Sequence, residues 1–402
     1  MSHRPLSIAY ASLAGLAFLF IALGSDRFAY PPLIPLMVSS HWSTVPQAGY
    51  IGSANFLGYL LGAWWMPIWA RYTKRSWILG VLLVLSVLGI GLCAWNLGFL
   101  WFSVWRLIAG FSGGGLMVLV PSLILADVPI RRKGLVSSIM FSGIGLAMVF
   151  FSELVPVFNM LGGILWVWAG FGLCTIVMGL IAFRSLTSSD LPLLTPPRCA
   201  EQLSSGARRS LIFAGAAYLV YGIAIVPYNL FLADYAREVL HASLSISSFL
   251  FSLQGVGCFL GSLMGGWLRN FLGARRALIV MATLSVVSVL ILLVIPSAWA
   301  VGVSAFLLGF CIVAIVLLVS LCVDEIAGAA QHARYWSYIT LCYAAAQLGA
   351  GYGFSALLAA NLHYIVLFWI ALPMSILTLF FFSRMCKSEA SQVSEASSVQ
   401  TP

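Results

Sequence analysis

Four ionisable side chains lie within long apolar stretches of this sequence. Asp26 and Arg27 are adjacent in the first stretch, Arg106 lies in a later one, and Glu153 lies near the end of another. If these stretches span a bilayer, a charge near the centre costs at least about 2.5–3.5 kcal/mol on insertion scales, so it normally faces a cavity or a partner. These four residues are therefore the first candidates for binding or proton transfer.

The two arginines are predicted to lie at similar depth. Arg27 is about 7–8 Å beyond the midpoint of its stretch and Arg106 is about 10 Å before the midpoint of its own, toward the same face. Adjacent residues on a helix point about 100° apart, so Asp26 and Arg27 do not neutralise each other in place. We expect Asp26 to pair with Arg106, or Glu153 to reach Arg27.

This arrangement supports two interpretations. In the functional one, Arg27 and Arg106 line an electropositive cavity that binds an anion through their guanidinium groups, and Asp26 or Glu153 carries a coupled proton. In the structural one, the same charges form an ion pair that fixes three helices.

Neutral polar residues in the apolar stretches are candidates for the same cavity. They are Tyr30, Asn55, Tyr221, Gln254 and Gln347. We predict that these side chains line a substrate site. The alternative for each is a hydrogen bond between helices, which is worth about 0.6 kcal/mol on average.

The sequence gives no support for an enzyme or a metal protein. Gly110-Phe-Ser112-Gly113-Gly114 matches the pattern around a nucleophilic serine, but such a serine needs a base within hydrogen-bond reach. Every His lies in or next to a loop, and no Lys lies in an apolar stretch. The eight Cys form no Cys-x-x-Cys pair, which argues against disulfides and metal sites. We predict no catalytic residue, no metal and no cofactor.

The composition requires a lipid environment. Of the 402 residues, 62% are hydrophobic and 8% are charged, whereas soluble domains carry roughly 25% charged residues. Soluble enzymes and DNA-binding proteins are thereby excluded, and we predict an all-α membrane protein with twelve transmembrane helices. The stretches long enough to cross a hydrocarbon core of roughly 30 Å are 7–37, 46–70, 76–95, 100–126, 134–156, 162–183, 210–233, 246–268, 277–296, 300–323, 335–358 and 362–383.

Positive charges determine the predicted orientation. With an even number of spans, both termini lie on one side of the membrane. Seventeen of the 20 Lys and Arg residues fall on that side, Arg237 falls on the other, and Arg27 and Arg106 lie within spans. Since basic loops remain in the cytoplasm, both termini are predicted to be cytoplasmic. The net charge of +9 is then a topology signal, and we predict no nucleic-acid partner.

One polar segment divides the chain into halves. Residues 185–209 are rich in Ser, Pro and charge and are predicted to form a cytoplasmic linker. The linker joins two predicted six-helix bundles, 1–184 and 210–384. Residues 385–402 are predicted to form a disordered cytoplasmic tail.

An internal repeat relates the two halves. At an offset of 199 residues, polar and glycine positions of the second and fourth spans recur in the eighth and tenth. The matched pairs are Asn55 with Gln254, Gly58 with Gly257, Gly62 with Gly261, and Gly110 with Gly309. Parallel repeats of this kind indicate two pseudo-symmetric bundles with a substrate site between them, near the middle of the membrane.

Local patterns resemble those of the major facilitator superfamily. Residues 266–276, GWLRNFLGARR, are similar to its inner-loop signature, with Asn270 where an Asp is usual, and residues 106–115, RLIAGFSGGG, resemble its buried-arginine motif of the fourth helix. Residues 24–35, GSDRFAYPPLIP, and 54–62, ANFLGYLLG, are similar to the bacterial YbfB/YjiJ branch. The resemblance implies the twelve-helix fold of that superfamily, a location in a bacterial inner membrane, and transport by alternating access.

The expected function is secondary active transport. No nucleotide-binding signature such as GxxxxGK[ST] is present, so energy is expected from an ion gradient, most simply of protons. The two buried arginines favour a small anionic substrate of the carboxylate type. The alternatives are a proton-driven exporter of hydrophobic or cationic compounds, and a non-transporting membrane sensor or scaffold. We expect a monomer whose partners are the substrate, protons and the lipid bilayer.

Overall fold

Apolar helices of membrane-spanning length dominate the computed structural model, which describes residues 8–70, 72–126, 128–187 and 203–385. Twelve helical segments in these ranges correspond to the twelve predicted spans, which confirms the all-α membrane fold. They are Ile8–Ser39 (α1), Val45–Trp69 (α2), Arg75–Gly91 (α3), Phe99–Ala126 (α4), Ile130–Gly162 (α5), Ile164–Thr187 (α6), Ser205–Glu238 (α7), Leu244–Leu272 (α8), Ala274–Val294 (α9), Ala298–Ala327 (α10), Ala329–Ala359 (α11) and Ile365–Arg384 (α12).

Two of these helices are less apolar than the other ten. Among the described residues, ten helices are apolar enough to cross a membrane by length and composition, and α2 and α11 are not among them. They are 25 and 31 residues long, which exceeds the roughly 20 residues needed for a span. Because α2 and α11 pack against each other, with Gly351 against Ser53 and Phe56, part of their surface needs no lipid-compatible side chains.

Local signals determine several helix ends. Thr44 begins α2 with a capping box: its side chain accepts from the Gln47 N–H, and the Gln47 side chain accepts from the Thr44 N–H. The hydroxyl groups of Ser243 and Ser297 cap α8 and α10. These caps satisfy N–H groups that a helix start leaves unpaired. Gly273, between α8 and α9, has a φ of 78°, which glycine adopts without strain.

Glycines bring α2 close to α4 in the first half and α8 close to α10 in the second. A Cβ added at Gly58 would overlap the Leu107 carbonyl oxygen, and one added at Gly257 would overlap the Phe306 carbonyl oxygen. Both residues of the second contact lie 199 positions after their counterparts in the first. The same offset relates two further contacts, Gly62 with Phe111 and Gly261 with Phe310. The sequence repeat therefore recurs in the packing of the two bundles.

The two halves contact each other through two pairs of long helices. α2 packs against α11, and α5 packs against α8, where Cβ atoms added at Gly145 and Gly255 would overlap main-chain atoms of the opposite half. The last part of α1, Ile34–Ser39, also contacts the last part of α7, Leu232–Glu238. Side chains between α1, α2, α7 and α11 therefore lie on the boundary of the two halves.

α1 and α7 are each interrupted by a π-helical segment. In α1 it covers Phe20–Phe28 and is followed by the 3-10 turn Pro31–Leu33, and in α7 it covers Pro227–Phe231. Proline lacks a main-chain N–H and removes a helical hydrogen bond, which accounts for irregular backbone near these prolines. Single π-helical turns within α-helices are frequent at functional sites. Asp26 and Arg27 lie in the first segment.

The basic motif, residues 266–276, covers the end of α8 and the start of α9. It connects helices at the end of the molecule where α1 begins and α12 ends. Arg269 donates from Nε and Nη2 to Glu325 Oε1 of α10, at 3.0 and 2.7 Å. Arg275 Nη2 donates to the Ser383 carbonyl oxygen of α12 at 2.6 Å. The motif thus links α8 to α10 and α9 to α12.

Both ends of the predicted linker are helical. α6 continues to Thr187 and α7 begins at Ser205, so the first three and last five residues of the segment 185–209 are helical. Residues 188–202 of the predicted linker and 386–402 of the predicted tail lie outside the described residues.

Candidate functional site

Arg106 lies inside the first bundle and contacts the main chain of α1. Its side chain is 0% exposed, its Nη2 donates to the Asp26 carbonyl oxygen, and its Cζ lies 5.2 Å from the centroid of the Tyr30 ring. The Arg106 Nε and Nη1 atoms have no hydrogen-bond partner in the part of the chain that the structure describes. The predicted ion pair between the Asp26 carboxylate and Arg106 is wrong, because the acceptor is the carbonyl group of the π-helical segment.

The Asp26 carboxylate contacts Ser86 of α3, which is in turn hydrogen-bonded to Ser112 of α4. Its Oδ2 accepts from Ser86 Oγ at 2.7 Å, and Ser86 Oγ shares a second hydrogen bond of 2.7 Å with Ser112 Oγ. Ser112 Oγ also lies 2.5 Å from the Leu82 carbonyl oxygen. Asp26 is fully buried, and its Oδ1 has no hydrogen-bond partner among the described residues. A buried carboxylate that is hydrogen-bonded to a hydroxyl group is suited to gaining and losing a proton.

Asn55 joins α2 to both neighbouring helices. Its Nδ2 donates to the Asp26 carbonyl oxygen at 2.8 Å and to the Arg106 carbonyl oxygen at 2.9 Å. The predicted alternative role of Asn55, hydrogen bonding between helices, describes these contacts. Asn55 therefore holds the π-helical segment of α1 in place together with Arg106.

The repeat-related residue Gln254 does the same in the second bundle. Its Nε2 donates to Asn229 Oδ1 at 2.7 Å, and Asn229 lies in the π-helical segment of α7. Gln254 is fully buried. The pair Asn55 and Gln254, which an offset of 199 relates, thus connects α2 and α8 to the irregular segments of α1 and α7.

Arg27 lies on the boundary of the two halves. Its side chain is 7% exposed, and its Nη2 donates to Gln347 Oε1 of α11 at 2.8 Å. The Arg27 Cζ lies 4.5 Å from the ring centroid of Phe56 and 5.3 Å from that of Tyr59. Arg27 forms no ion pair with a carboxylate of the described residues. The Arg27 guanidinium group is therefore surrounded by a neutral amide group and the faces of aromatic rings.

Donor atoms of the two residues in this contact are unpaired. Arg27 Nε and Gln347 Nε2 are buried and have no hydrogen-bond partner among the described residues. Nε and Nη2 are two of the donors in the planar fork of a guanidinium group, and such a fork can take both oxygens of one carboxylate. Gln347 Oε1 accepts a hydrogen bond from Nη2. One of the two donors of this fork is therefore paired, and the other, Nε, is not.

Two tyrosines that were not among the predicted site residues also lie at the boundary of the two halves. Tyr218 of α7 and Tyr343 of α11 stack with ring centroids 4.2 Å apart and an angle of 12° between the rings. Tyr343 lies one helical turn before Gln347, which accepts a hydrogen bond from Arg27, and Tyr218 stacks against Tyr343. Their spacing was the available signal, because Tyr343 precedes Gln347 by four residues and Tyr218 precedes Tyr221 by three, which places each pair on one helix face.

The other predicted residues lie elsewhere. Glu153 is exposed and makes no contact with Arg27, so the predicted pairing of these two residues is wrong. The Tyr30 hydroxyl donates to the Ala48 carbonyl oxygen at 2.8 Å, and its ring faces Arg106 rather than Arg27. The structure thus brings together Arg27 and Gln347 at the boundary, and Asp26, Asn55, Arg106 and Tyr30 within the first bundle. Tyr221 is buried in α7 and makes no hydrogen bond with Arg27 among the described residues.

A second buried carboxylate was missed because it lies one residue beyond a predicted span. Asp234, in the last part of α7, is fully buried, and its Oδ2 accepts from the Tyr364 hydroxyl. Its Oδ1 has no hydrogen-bond partner within the described ranges. The predicted span 210–233 ended just before it.

Comparison with known proteins relates the chain to membrane transporters. The family described as uncharacterised MFS-type transporter YbfB matches residues 19–374. The inner membrane transport protein YdhP of Escherichia coli is 24% identical over 279 residues, which cover 66% of this chain and 67% of that protein. The benzoate transport protein of Acinetobacter baylyi is 30% identical over 146 residues, which cover 34% of this chain and 31% of that protein.

A solved structure shows the same fold. A variant of the nucleoside transporter NupG aligns with a TM-score of 0.71 over 94% of this chain and 100% of the other, at 12% sequence identity. At that identity the likeness concerns the fold alone. The two six-helix bundles and the twelve spans are therefore those of a transporter fold.

Proposed function

The chain belongs to the major facilitator superfamily of transporters, and on this basis we propose that it carries a small carboxylate anion across a bacterial inner membrane. Transport is by alternating access, with the bundles 1–184 and 210–384 moving about a site between them. The distribution of basic residues supports cytoplasmic termini, and the inner-membrane name of the relative YdhP supports the location. The working unit is taken as the monomer, since the site lies within one chain.

The unpaired Nε atom of Arg27 carries this proposal. A cation buried without a carboxylate partner is costly, and a substrate anion supplies the missing charge. The anion takes Nε and Nη2 together, and Gln347 Oε1 gives up its place on Nη2. Because Arg27 belongs to the first bundle and Gln347 to the second, the exchange also changes a contact between the halves.

We assign the coupled proton to Asp26. Its carboxylate is buried, has no ion-pair partner among the described residues, and contacts the Ser86 hydroxyl. Asp26 is adjacent to Arg27 in the same π-helical segment, so a negative charge on Asp26 weakens the attraction of Arg27 for an anion. Glu153, which is exposed, has no comparable connection to the site.

The name of one relative supports a carboxylate substrate. The protein from Acinetobacter baylyi is named as a benzoate transporter, and benzoate is a monocarboxylate. An exporter of lipophilic cations is the competing function, and it would have to place its substrate beside the Arg27 cation.

Thermal stability of the full chain in detergent tests the sign of the substrate charge. The probes are acetate, succinate and benzoate as anions, benzamide as a neutral analogue, and tetraphenylphosphonium as a lipophilic cation. A ligand at 100 times its dissociation constant adds about 2.7 kcal/mol of apparent stability. We expect at least one carboxylate to stabilise the protein, and benzamide and tetraphenylphosphonium to have no effect.

Two matched variants connect the effect to the site. Arg27→Gln should abolish stabilisation by the carboxylate, and Arg237→Gln, at the end of α7, should retain it. Stabilisation of Arg27→Gln by the carboxylate at wild-type concentrations would overturn the site assignment. Stabilisation by tetraphenylphosphonium alone would replace the proposed function with export of cations.

A further inference from the structure

The number of available positive charges limits the charge of the substrate. Of the two arginines within the spans, only Arg27 lies between the halves, since Arg106 is enclosed in the first bundle by the Asp26 carbonyl group and the Tyr30 ring. A second carboxylate on the substrate would be buried without a cation, which costs several kcal/mol. One guanidinium group therefore fits a monoanion and disfavours dicarboxylates and tricarboxylates.

The surroundings of Arg27 are flat aromatic rings. Phe56 and Tyr59 lie under the guanidinium group, and Phe28 lies 5.5 Å from it. On the side of the second half, the Tyr218 and Tyr343 rings are nearly parallel. Aromatic rings favour offset stacking and edge-to-face contacts with other aromatic rings, worth about 0.5–1.5 kcal/mol beyond area burial. A planar ring uses such walls better than a branched or puckered aliphatic group of equal volume.

We infer that the substrate is a planar aromatic monocarboxylate, whose carboxylate binds Arg27 and whose ring packs against the Tyr218–Tyr343 pair. This inference rests on the proposed function and narrows it. Tyr218 and Tyr343 are then the residues that select for an aromatic ring, and Arg27 is the residue that selects for charge. Both tyrosines belong to the second half, so the ring and the carboxylate are held by opposite halves.

The experiment compares dissociation constants of a probe set by isothermal titration of the purified full chain. Benzoate is the reference, and cyclohexanecarboxylate has the same charge and a similar size but a puckered ring. Phthalate adds a second charge, and benzamide removes the charge. Two aromatic contacts at the value above correspond to a preference of about 5- to 160-fold. We expect benzoate to bind at least about five times more tightly than cyclohexanecarboxylate, and more tightly than phthalate and benzamide.

Variants assign the preference to the stacked pair. Tyr343→Leu and Tyr218→Leu should each lower the affinity for benzoate by about 2- to 12-fold, which is the fold-change of one aromatic contact, and leave that for cyclohexanecarboxylate within about twofold. Tyr343→Phe keeps the ring and should keep the preference. Tyr338→Leu is the matched control, because Tyr338 is on the same helix and is 55% exposed. If a leucine variant does not fold, the affinities of the probe set for the wild type and for Tyr343→Phe still test whether the site prefers an aromatic ring.

The outcomes separate this inference from the proposed function. Equal affinity for benzoate and cyclohexanecarboxylate, with both dependent on Arg27, would overturn the aromatic selectivity and leave the anion carrier intact. Tighter binding of phthalate would overturn the monoanion. Equal binding of benzamide and benzoate, or no binding of any carboxylate, would overturn the proposed function and the inference with it.

Discussion

At the residue scale, the difference between Arg27 and Arg106 lies in what their donor atoms contact. Arg106 donates to a carbonyl oxygen of the neighbouring helix and stabilises the backbone there. Arg27 donates to the side-chain amide of Gln347 and leaves Nε unpaired. An amide oxygen on a guanidinium group is a weaker partner than a carboxylate, so an anion can displace it. Because Arg27 lies between the halves, this exchange also breaks a hydrogen bond between the two bundles.

A carboxylate placed at position 347 should compete with the substrate. In Gln347→Glu the new side chain would pair with Arg27 and occupy the donors that a substrate needs. We expect at least a tenfold loss of benzoate affinity with an unchanged or raised melting temperature, measured by titration and by thermal unfolding. Gln347→Met, which has similar length and no charge, should not raise the melting temperature. Wild-type affinity in Gln347→Glu would show that the anion does not bind at Arg27.

The sequence predicted that these residues lie within membrane-spanning helices but not their rotation about the helix axis. Arg27 and Arg106 lie in spans as expected, yet they face different surroundings. Since these spans are apolar on every side, hydropathy carries no periodic signal that fixes which face points where. The π-helical segment of α1 also changes the direction of residues near Asp26, so that its carbonyl group and not its carboxylate meets Arg106. This is why the predicted Asp26–Arg106 pair was wrong.

At the element scale, the internal repeat of the sequence corresponds to close contacts between helices in each half. Gly58 and Gly257 each touch a carbonyl oxygen of the adjacent helix in their own half, and Asn55 and Gln254 each hold an irregular segment. The offset of 199 selected the two glycines from the sequence, and it also related Asn55 to Gln254, which were already candidates as polar residues in apolar stretches. The offset was informative because a backbone contact at glycine leaves no room for another side chain. Tyr218 and Tyr343 had no such signature, as aromatic residues are common in every span.

Alanine at the contact glycines should destabilise both halves to a similar extent. In Gly58→Ala and in Gly257→Ala, the new Cβ would overlap a carbonyl oxygen, and overpacking of this kind costs about 1–3 kcal/mol. Gly349→Ala on α11 is the control, because no atom lies within 4 Å of the added Cβ. There we expect no loss, or a gain of up to about 1 kcal/mol from helix propensity. Melting temperatures in detergent measure all three, and equal values would contradict the tight contacts.

At the scale of the whole molecule, the proposed ligand contacts both halves at one boundary. Arg27 and Phe56 come from the first bundle, and Gln347, Tyr218 and Tyr343 come from the second. Binding of an anion there replaces a contact between halves with two contacts to the ligand. Asp26 and its serine partners lie behind Arg27, within the first bundle. A proton on Asp26 can therefore be linked to the anion on Arg27 through the segment that both residues share.

This linkage predicts that benzoate binding depends on pH. When Asp26 loses its proton, its negative charge disfavours an anion at Arg27, so the dissociation constant should rise with pH by up to about tenfold per pH unit. Asp26→Asn, which stays neutral, should bind with little pH dependence above pH 5.5. Asp234→Asn is the matched control and should keep the wild-type pH dependence, because Asp234 contacts Tyr364 and not the Arg27 segment. A wild-type pH profile in Asp26→Asn would remove Asp26 from the coupling.

The most direct measurement is a structure of the full chain with 4-iodobenzoate bound, in which the iodine identifies the ring. The expected result is a carboxylate about 2.7–2.9 Å from Nε and Nη2 of Arg27, with Gln347 Oε1 displaced and the ring against Tyr218 and Tyr343. A structure in which the Arg27–Gln347 hydrogen bond remains intact, while the iodobenzoate lies elsewhere, would contradict the central claim.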